Sequence, residues 1–280
     1  MKILVIGAGF VGSATAERLI ALGHDVTVTA TSAEKVATLT ERFGSARVLR
    51  GSNLDEVTAA VEGKDAVVIT AGPSAQGSMD PEGRAKTYHE ILVRTAENVV
   101  AATAPTTRLI ALSSLSVYGD AANHLDLIDE SSPVTDSTDP SPANFLLMEA
   151  TYAAAGDRSV VFRCGDIFGA GDPPIAEKVK MAHQYLGGSV PFSADALLYR
   201  LQVEDAADAI VHAVEHPISG LFNLTHPEVG PRNAELFDAL SAENGLPPLE
   251  YRDEIASPSS PISVAALSAT GFTASRSFAY

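Results

Sequence analysis

The chain has 280 residues, 46% hydrophobic and 19% charged, with a formal charge of −16. That is enough apolar side chain for one large domain or a domain with an added lobe. The acidity leaves no basic stripe to release counterions from a phosphate backbone or to hold an anionic membrane, so neither nucleic acid nor membrane is an expected partner.

A single cysteine, Cys164, excludes an intrachain disulfide, and the seven histidines are too scattered for a metal-ligand cluster. The apolar stretch ahead of Gly7 is too short for a signal peptide or a span. A cytoplasmic setting, and a monomer or homodimer, are the expectations.

In chain order, Ile3–Ile6 reads as a strand, and Ser13–Leu22 as a helix stopped by Gly23. Between them lies a Gly-x-Gly-x-x-Gly turn: Gly7, Gly9 and Gly12, with Phe10 and Val11 inside it. Gly7 permits the tight turn, Gly9 lets a pyrophosphate approach the backbone, and Gly12 lets the helix pack on the strand. The helix N-terminus offers free N–H groups to phosphate. The strand–turn–helix context makes this a dinucleotide signature rather than a structural glycine turn.

Asp25–Thr29 reads as the second strand. An NAD site commonly has a carboxylate at its end for the ribose 2′-OH. Here Ala30, Thr31 and Ser32 follow, then Lys35. Thr31 and Ser32 hydroxyls with the Lys35 charge suit a 2′-phosphate, so NADP is the expected cofactor and NAD the alternative. The blander reading is that Ser32 caps the helix Ala33–Phe43 and Lys35 is solvated.

Arg47–Arg50 reads as a short strand, Leu54–Val61 as a helix, Ala66–Thr70 as a strand, and Gly83–Ala102 as a long helix. Arg108–Leu112, a helix near Asn144–Ala155 and a strand at Ser159–Arg163 follow. This alternation predicts an α/β fold, a Rossmann-type doubly wound parallel sheet, over residues 1–170. Asp120–Ala143, rich in Asp, Ser and Pro, reads as a long loop. Residues 171–280 read as a small C-terminal α+β substrate lobe interleaved with the core. Leu201–Val203 and Leu221–Leu224 are its short strands around a helix Ala206–Val214, and the tail from Ala256 is Ser- and Ala-rich.

Several motifs taken together resemble the extended short-chain dehydrogenase/reductase family, the NAD-dependent epimerase/dehydratases. Besides the glycine turn they are Asn53-Leu54, Ala71-Gly72, the run Leu112–Gly119, the run Phe162–Gly169, Gln202–Ile210, Gly220–Leu224 and Thr270–Phe272. The resemblance implies a small-molecule substrate and adds Asn53, Leu54, Ala71, Gly72, Ser113 and Cys164 to the cofactor site. It also implies Ser114 as a catalytic serine. The glycine turn departs slightly, since Ile6 stands where the family commonly has a further glycine.

The larger departure is catalytic. The family uses a Tyr-x-x-x-Lys on the helix after the fifth strand, where residues four apart share a face and the ammonium lowers the phenol's pKa. Aligning on Glu149 puts Ser141 and Phe145 at those positions, and no Tyr-x-x-x-Lys occurs in the chain. Tyr118 and Tyr88 are candidate acids by position, and Asp166 and Glu130 by acidity; Tyr118 also reads as a packing residue.

Two functions stay open. One is a divergent oxidoreductase or epimerase acting on a sugar, nucleotide sugar or small carbonyl or alcohol. The other is a non-catalytic dinucleotide-binding regulator or interaction protein. Arg200 is a candidate contact for a substrate phosphate or carboxylate, against a salt bridge to Glu204 or Asp205. Asp205 and Asp208 read as a solvated helix face or a cap, Lys178 and Lys180 are too few for a basic patch, and Cys164 reads as a small hydrophobe.

Overall fold

The computed structural model describes residues 1–73 and 81–277. Strands and helices alternate through β1 (Lys2–Ile6), α1 (Phe10–Ala21), β2 (Asp25–Ala30), α2 (Ala33–Phe43), β3 (Ala46–Val48), α3 (Leu54–Val61) and β4 (Ala66–Ile69). A helical run follows: α4 (Pro81–Tyr88), a π-helical segment (His89–Arg94) and α5 (Thr95–Ala102). Then come β5 (Arg108–Ser114), α6 (Pro140–Ala153), β6 (Ser159–Cys164), β7 (Asp166–Phe168), α7 (Ile175–Leu186) and β8 (Ser189–Phe192). The chain continues through β9 (Arg200–Gln202), α8 (Val203–Glu215), β10 (Gly220–Leu224), α9 (Asn233–Glu243), β11 (Glu250–Ile255) and α10 (Ala265–Ser268).

The seven-stranded sheet has the order β3-β2-β1-β4-β5-β6-β10, and its pairs from β3 to β5 are parallel. This is the doubly wound arrangement expected from the alternation. The chain leaves β1 toward one edge and returns to start β4 on its other side. The crevice beyond the C-terminal ends of β1 and β4 is therefore the topological switch point, where open α/β sheets bind ligands. The central strands are buried on both faces: every residue of β4 is buried, as are Ile3 to Ile6 of β1. That explains their unbroken apolar runs.

The chain forms two compact units. The first is Met1–Ser114, Thr138–Arg163 and Val203–Phe222; the second is Leu115–Ser137, Cys164–Gln202 and Asn223–Tyr280. The first has its apolar core under α3, α5 and α6, including Leu4, Val67, Leu109, Met148 and Tyr152. The second has a smaller core between α7, α9, β8 and β11, built on Ile175, Val179, Val190 and Leu249.

Several boundaries differ from the sequence reading. α1 begins at Phe10 rather than Ser13, because Phe10, Val11 and Gly12 already adopt helical geometry. α6 begins at Pro140 rather than near Asn144: its prolines fall in the first turn, where the missing N–H has no partner to lose. Asp139 caps this helix by accepting from Ser141 N–H at 2.9 Å. The long helix expected at Gly83–Ala102 contains the π-helical segment, which adds one residue to a turn. α8 starts at Val203, three residues before the expected Ala206. Among the described residues no helix is long and apolar enough to cross a membrane.

Candidate functional site

The turn between β1 and α1 is built by close approaches that only glycine permits. Gly7 has φ +95°, and a Cβ there would lie 2.7 Å from the backbone of Ala71 at the end of β4. A Cβ on Gly12 would lie 2.2 Å from the Gly7 carbonyl oxygen and 2.6 Å from Thr70 Oγ1. Gly9 is different: a Cβ there would meet no protein atom within 4 Å. The turn is tied to its neighbours by Gly7 N–H donating to Thr29 Oγ1 (3.1 Å), Ala8 N–H to the Thr29 carbonyl (2.9 Å) and Thr70 Oγ1 to the Gly7 carbonyl (2.8 Å).

Gly9 is the N-cap of α1 and brings no side chain to it, and no acidic residue lies in the first turn. The first N–H groups of a helix have no intrahelical acceptor. At α1 nothing on the helix itself satisfies them, and its first turn carries no acidic side chain to offset the positive end of its dipole. The donors at Phe10, Val11 and Gly12 therefore fit a pyrophosphate laid across Gly9.

At the end of β2, Thr31, Ser32 and Lys35 are exposed. Ser32 is the N-cap of α2, accepting from Lys35 N–H at 3.4 Å. The capping reading thus holds, and it leaves both hydroxyls and the ammonium at the surface. Glu34, which the sequence reading did not weigh, also sits in this first turn. Asn53 caps α3, accepting from Asp55 and Glu56 N–H (3.1 and 3.2 Å), and Leu54 beside it is exposed. Ala71 and Gly72 lie just beyond β4, after Thr70, with Ala71 against the Gly7 turn.

Ser113 and Ser114 end β5 and point to opposite sides of the strand, as successive residues do. Ser113 is buried and donates to Glu149 Oε1 at 2.6 Å. Arg163 closes on the same carboxylate, Nε to Oε1 at 3.0 Å and Nη2 to Oε2 at 2.7 Å. This buried triad clamps β5, α6 and β6 together. It uses Ser113 structurally, and Ser114 is half-buried beside it. On α6, Ser141 lies in the first turn, and Phe145 packs against the apolar core of the first unit.

Tyr118 and Cys164 belong to the second unit. Tyr118 is 0% exposed, and its hydroxyl lies 2.7 Å from Asn223 Oδ1 and 3.0 Å from the Asp129 carbonyl. A phenol held this way packs the fold. Glu130 is likewise committed, accepting from Asn223 N–H at 2.8 Å. Cys164 is buried, and burial pushes its thiol up to about 12, so it behaves as a small hydrophobe.

Arg200 pairs with neither Glu204 nor Asp205. It is 3% exposed, with its guanidinium 3.7 Å above the Phe168 ring and 3.6 Å from both Asp166 and Asp172. Lys178 Nζ is 2.9 Å from Asp172, so two cations and two carboxylates balance. Burial raises the Asp166 carboxyl above its ordinary range, with Asp172 adding to that and Lys178 and Arg200 opposing it. Asp208 also differs from expectation: it leaves the solvated face and pairs with Arg18 of α1 at 2.5 Å. Asp205 is buried in the first turn of α8.

The switch point and glycine turn are shared by many dinucleotide-binding folds, and one family model matches residues 3–224 of this chain. The chain belongs to the NAD dependent epimerase/dehydratase family. Solved structures share the fold of this epimerase/dehydratase chain. The enzyme WbmG of Bordetella bronchiseptica, in complex with NAD and UDP, has a TM-score of 0.78 and 22% identity, covering 99% of this chain and 91% of that one. A dTDP-4-dehydrorhamnose reductase from Clostridium acetobutylicum has a TM-score of 0.75 and 16% identity, covering 99% and 95%. The UDP-N-acetylglucosamine 4-epimerase of Bacillus cereus has a TM-score of 0.71 and 18% identity, covering 99% and 94%. No curated protein matches.

Proposed function

We propose that this chain is an NAD(P)-dependent oxidoreductase or epimerase acting at a carbonyl or alcohol carbon of a small molecule. The observation that carries this reading is the bare N-terminus of α1 at the switch point, where Gly9 keeps the backbone N–H groups open to a pyrophosphate. When bound, the dinucleotide supplies or accepts a hydride. The protein's part is to hold the pyrophosphate at Gly9–Gly12, the adenine ribose near Thr31 and Ser32, and the substrate oxygen at Ser114. NADP is the proposed cofactor, because Thr31, Ser32 and Lys35 are exposed at the end of β2 and β2 itself ends without a carboxylate.

Structural neighbours hold UDP and UDP-sugars beside NAD, which supports a sugar or related small molecule here. The state of Arg200 narrows this. Its charge is already balanced by Asp166 and Asp172, so it has little left for a diphosphate. That favours a substrate without a nucleotide diphosphate, with residues 171–280 contributing to its lobe.

The absence of the phenol and ammonium from α6 favours the second reading, a dinucleotide-binding regulator without turnover. Calorimetry with NADPH and NADH tests what both readings share, and a native protein that binds neither overturns both. A screen of aldehydes, ketones, alcohols and nucleotide sugars separates them. Turnover that Ser114→Ala depresses supports the enzyme, and tight binding with no turnover supports the regulator.

A further inference from the structure

α4 and α6 run side by side in a constant register. Arg84 on α4 forms a two-pronged ion pair with Asp139, the cap of α6, at 3.0 and 3.3 Å. His89, the first residue of the π-helical segment that follows α4, places Nδ1 3.3 Å from Asn144 Oδ1 on α6. Both pairs are 55 residues apart in sequence, so one offset relates the helices over this stretch. By that offset Tyr88 lies level with residue 143, between Ser141 and Phe145. That is the level at which α6 lacks its phenol and ammonium.

Arg84 and Tyr88 are four residues apart and share a face of α4. The guanidinium carbon lies 5.3 Å from the centre of the Tyr88 ring. Burial works against the Arg84 charge, but hydrogen bonding and charge from Asp139, then from Tyr88, outweigh it and hold its pKa above the ordinary range. Asp139 thus fixes Arg84, and Arg84 lies over the Tyr88 ring. Tyr88 is half-buried, its ring against the apolar core that also takes Phe145 and Ala71.

Elimination points the same way. The unit that carries the glycine turn holds two tyrosines, Tyr88 and Tyr152. Tyr152 is 1% exposed, and burial drives its hydroxyl far above the usual range. Tyr88 is the phenol of this unit that reaches the surface.

We infer that Tyr88 and Arg84 on α4 take the place of the phenol and cation missing from α6, Tyr88 moving the proton at the substrate oxygen and Arg84, held by Asp139, positioning its ring. This rests on reading the chain as a hydride-transfer enzyme. In the reducing direction the carbonyl carbon gains a hydride from the reduced nicotinamide dinucleotide, which is thereby oxidised. The C=O π pair moves to oxygen, and that oxygen takes the Tyr88 hydroxyl proton. The phenolate then recovers a proton from water. Alcohol oxidation runs the same steps in reverse.

The first test needs no substrate. Tyrosines are nitrated with tetranitromethane and mapped by peptide mass spectrometry, with and without saturating NADPH or NADH, whichever calorimetry shows to bind. The cofactor slows nitration of Tyr88 several-fold, while Tyr185, 68% exposed on the second unit, keeps its rate. In the second test, glyceraldehyde and phenanthrenequinone serve as carbonyl probes. Tyr88→Phe lowers kcat by roughly a hundredfold or more with KM and cofactor affinity unchanged. Arg84→Met falls with it, and Arg84→Lys restores most of the rate. Bound cofactor that leaves Tyr88 nitration unchanged overturns the assignment, as does a Tyr88→Phe variant with native kcat. A protein that binds no dinucleotide fails at the underlying reading instead, so the two failures are distinct.

Discussion

At the scale of single residues, the three glycines of the first turn have separable jobs. Gly12 is packed: its missing Cβ makes room for the Gly7 carbonyl and the Thr70 hydroxyl. Gly12→Val must push that backbone apart, and overpacking of this kind costs about 1–3 kcal/mol or more, readable as a lower urea midpoint. Gly9 has an ordinary φ of −86° and no atoms in the way. Gly9→Val should therefore keep the native urea midpoint and lose dinucleotide affinity by on the order of a hundredfold, about 2.7 kcal/mol. A Gly9→Val protein that binds NADPH normally would show that the pyrophosphate does not cross this turn. The spacing of the glycines revealed the motif. Which glycine faces protein and which faces ligand depends on β4, some sixty positions along the chain, and no local pattern carries that.

Among the elements, α6 departs furthest from its sequence pattern. Prolines at positions 140 and 142 looked like loop, yet they open the helix, because Asp139 caps it and the first turn needs no proline N–H. Its lower half is fixed by Glu149, which holds Ser113 and Arg163 with almost no solvent contact. Glu149→Ala leaves the Arg163 charge buried without its carboxylate. Breaking a buried pair in this way costs about 3–5 kcal/mol. Replacing both partners by apolar residues, Glu149→Leu with Arg163→Met, should recover much of that loss in urea unfolding. A double variant no more stable than the single one would mean that the pair's geometry, rather than its charge balance, holds β5, α6 and β6 together. The sequence marked Glu149 by alignment alone. That it is a clamp emerges only when β6 brings Arg163 beside it.

For the whole molecule, cofactor binding and stability are linked. A dinucleotide that binds only the folded chain adds about 2.7 kcal/mol at a hundred times its Kd, and in chains of this size each kcal/mol raises Tm by roughly 2–4 °C. Thermal shift should therefore rise with NADPH. UDP alone should give little shift, because among the described residues Arg200 and Lys178 are matched by Asp166 and Asp172. A UDP shift as large as that of NADPH would remove the argument against a nucleotide-sugar substrate. Asp172→Asn, which takes one carboxylate from Arg200, should then increase UDP affinity above the native value.

The sequence by itself determined the doubly wound sheet, because strict strand–helix alternation with fully apolar strands admits few other packings. It also determined the position of the dinucleotide turn, since glycine spacing and the entry of a helix are local features. The same locality explains why Ser32 was legible as a cap, while the capping role of Asn53 came from the structure. Tertiary structure alone decided the fates of the polar side chains. Tyr118 was a candidate acid by position, Asp166 and Glu130 by acidity, and Arg200 a candidate contact for a substrate phosphate or carboxylate. Burial and long-range partners make Tyr118 and Glu130 parts of the framework and balance Arg200 against two carboxylates. The role proposed for Tyr88 depends on the register of α4 on α6, which is set by the Arg84–Asp139 ion pair and the His89–Asn144 hydrogen bond, each between residues 55 apart. Charges and hydrogen bonds act through space, so their partners are fixed only once the fold has brought distant segments together.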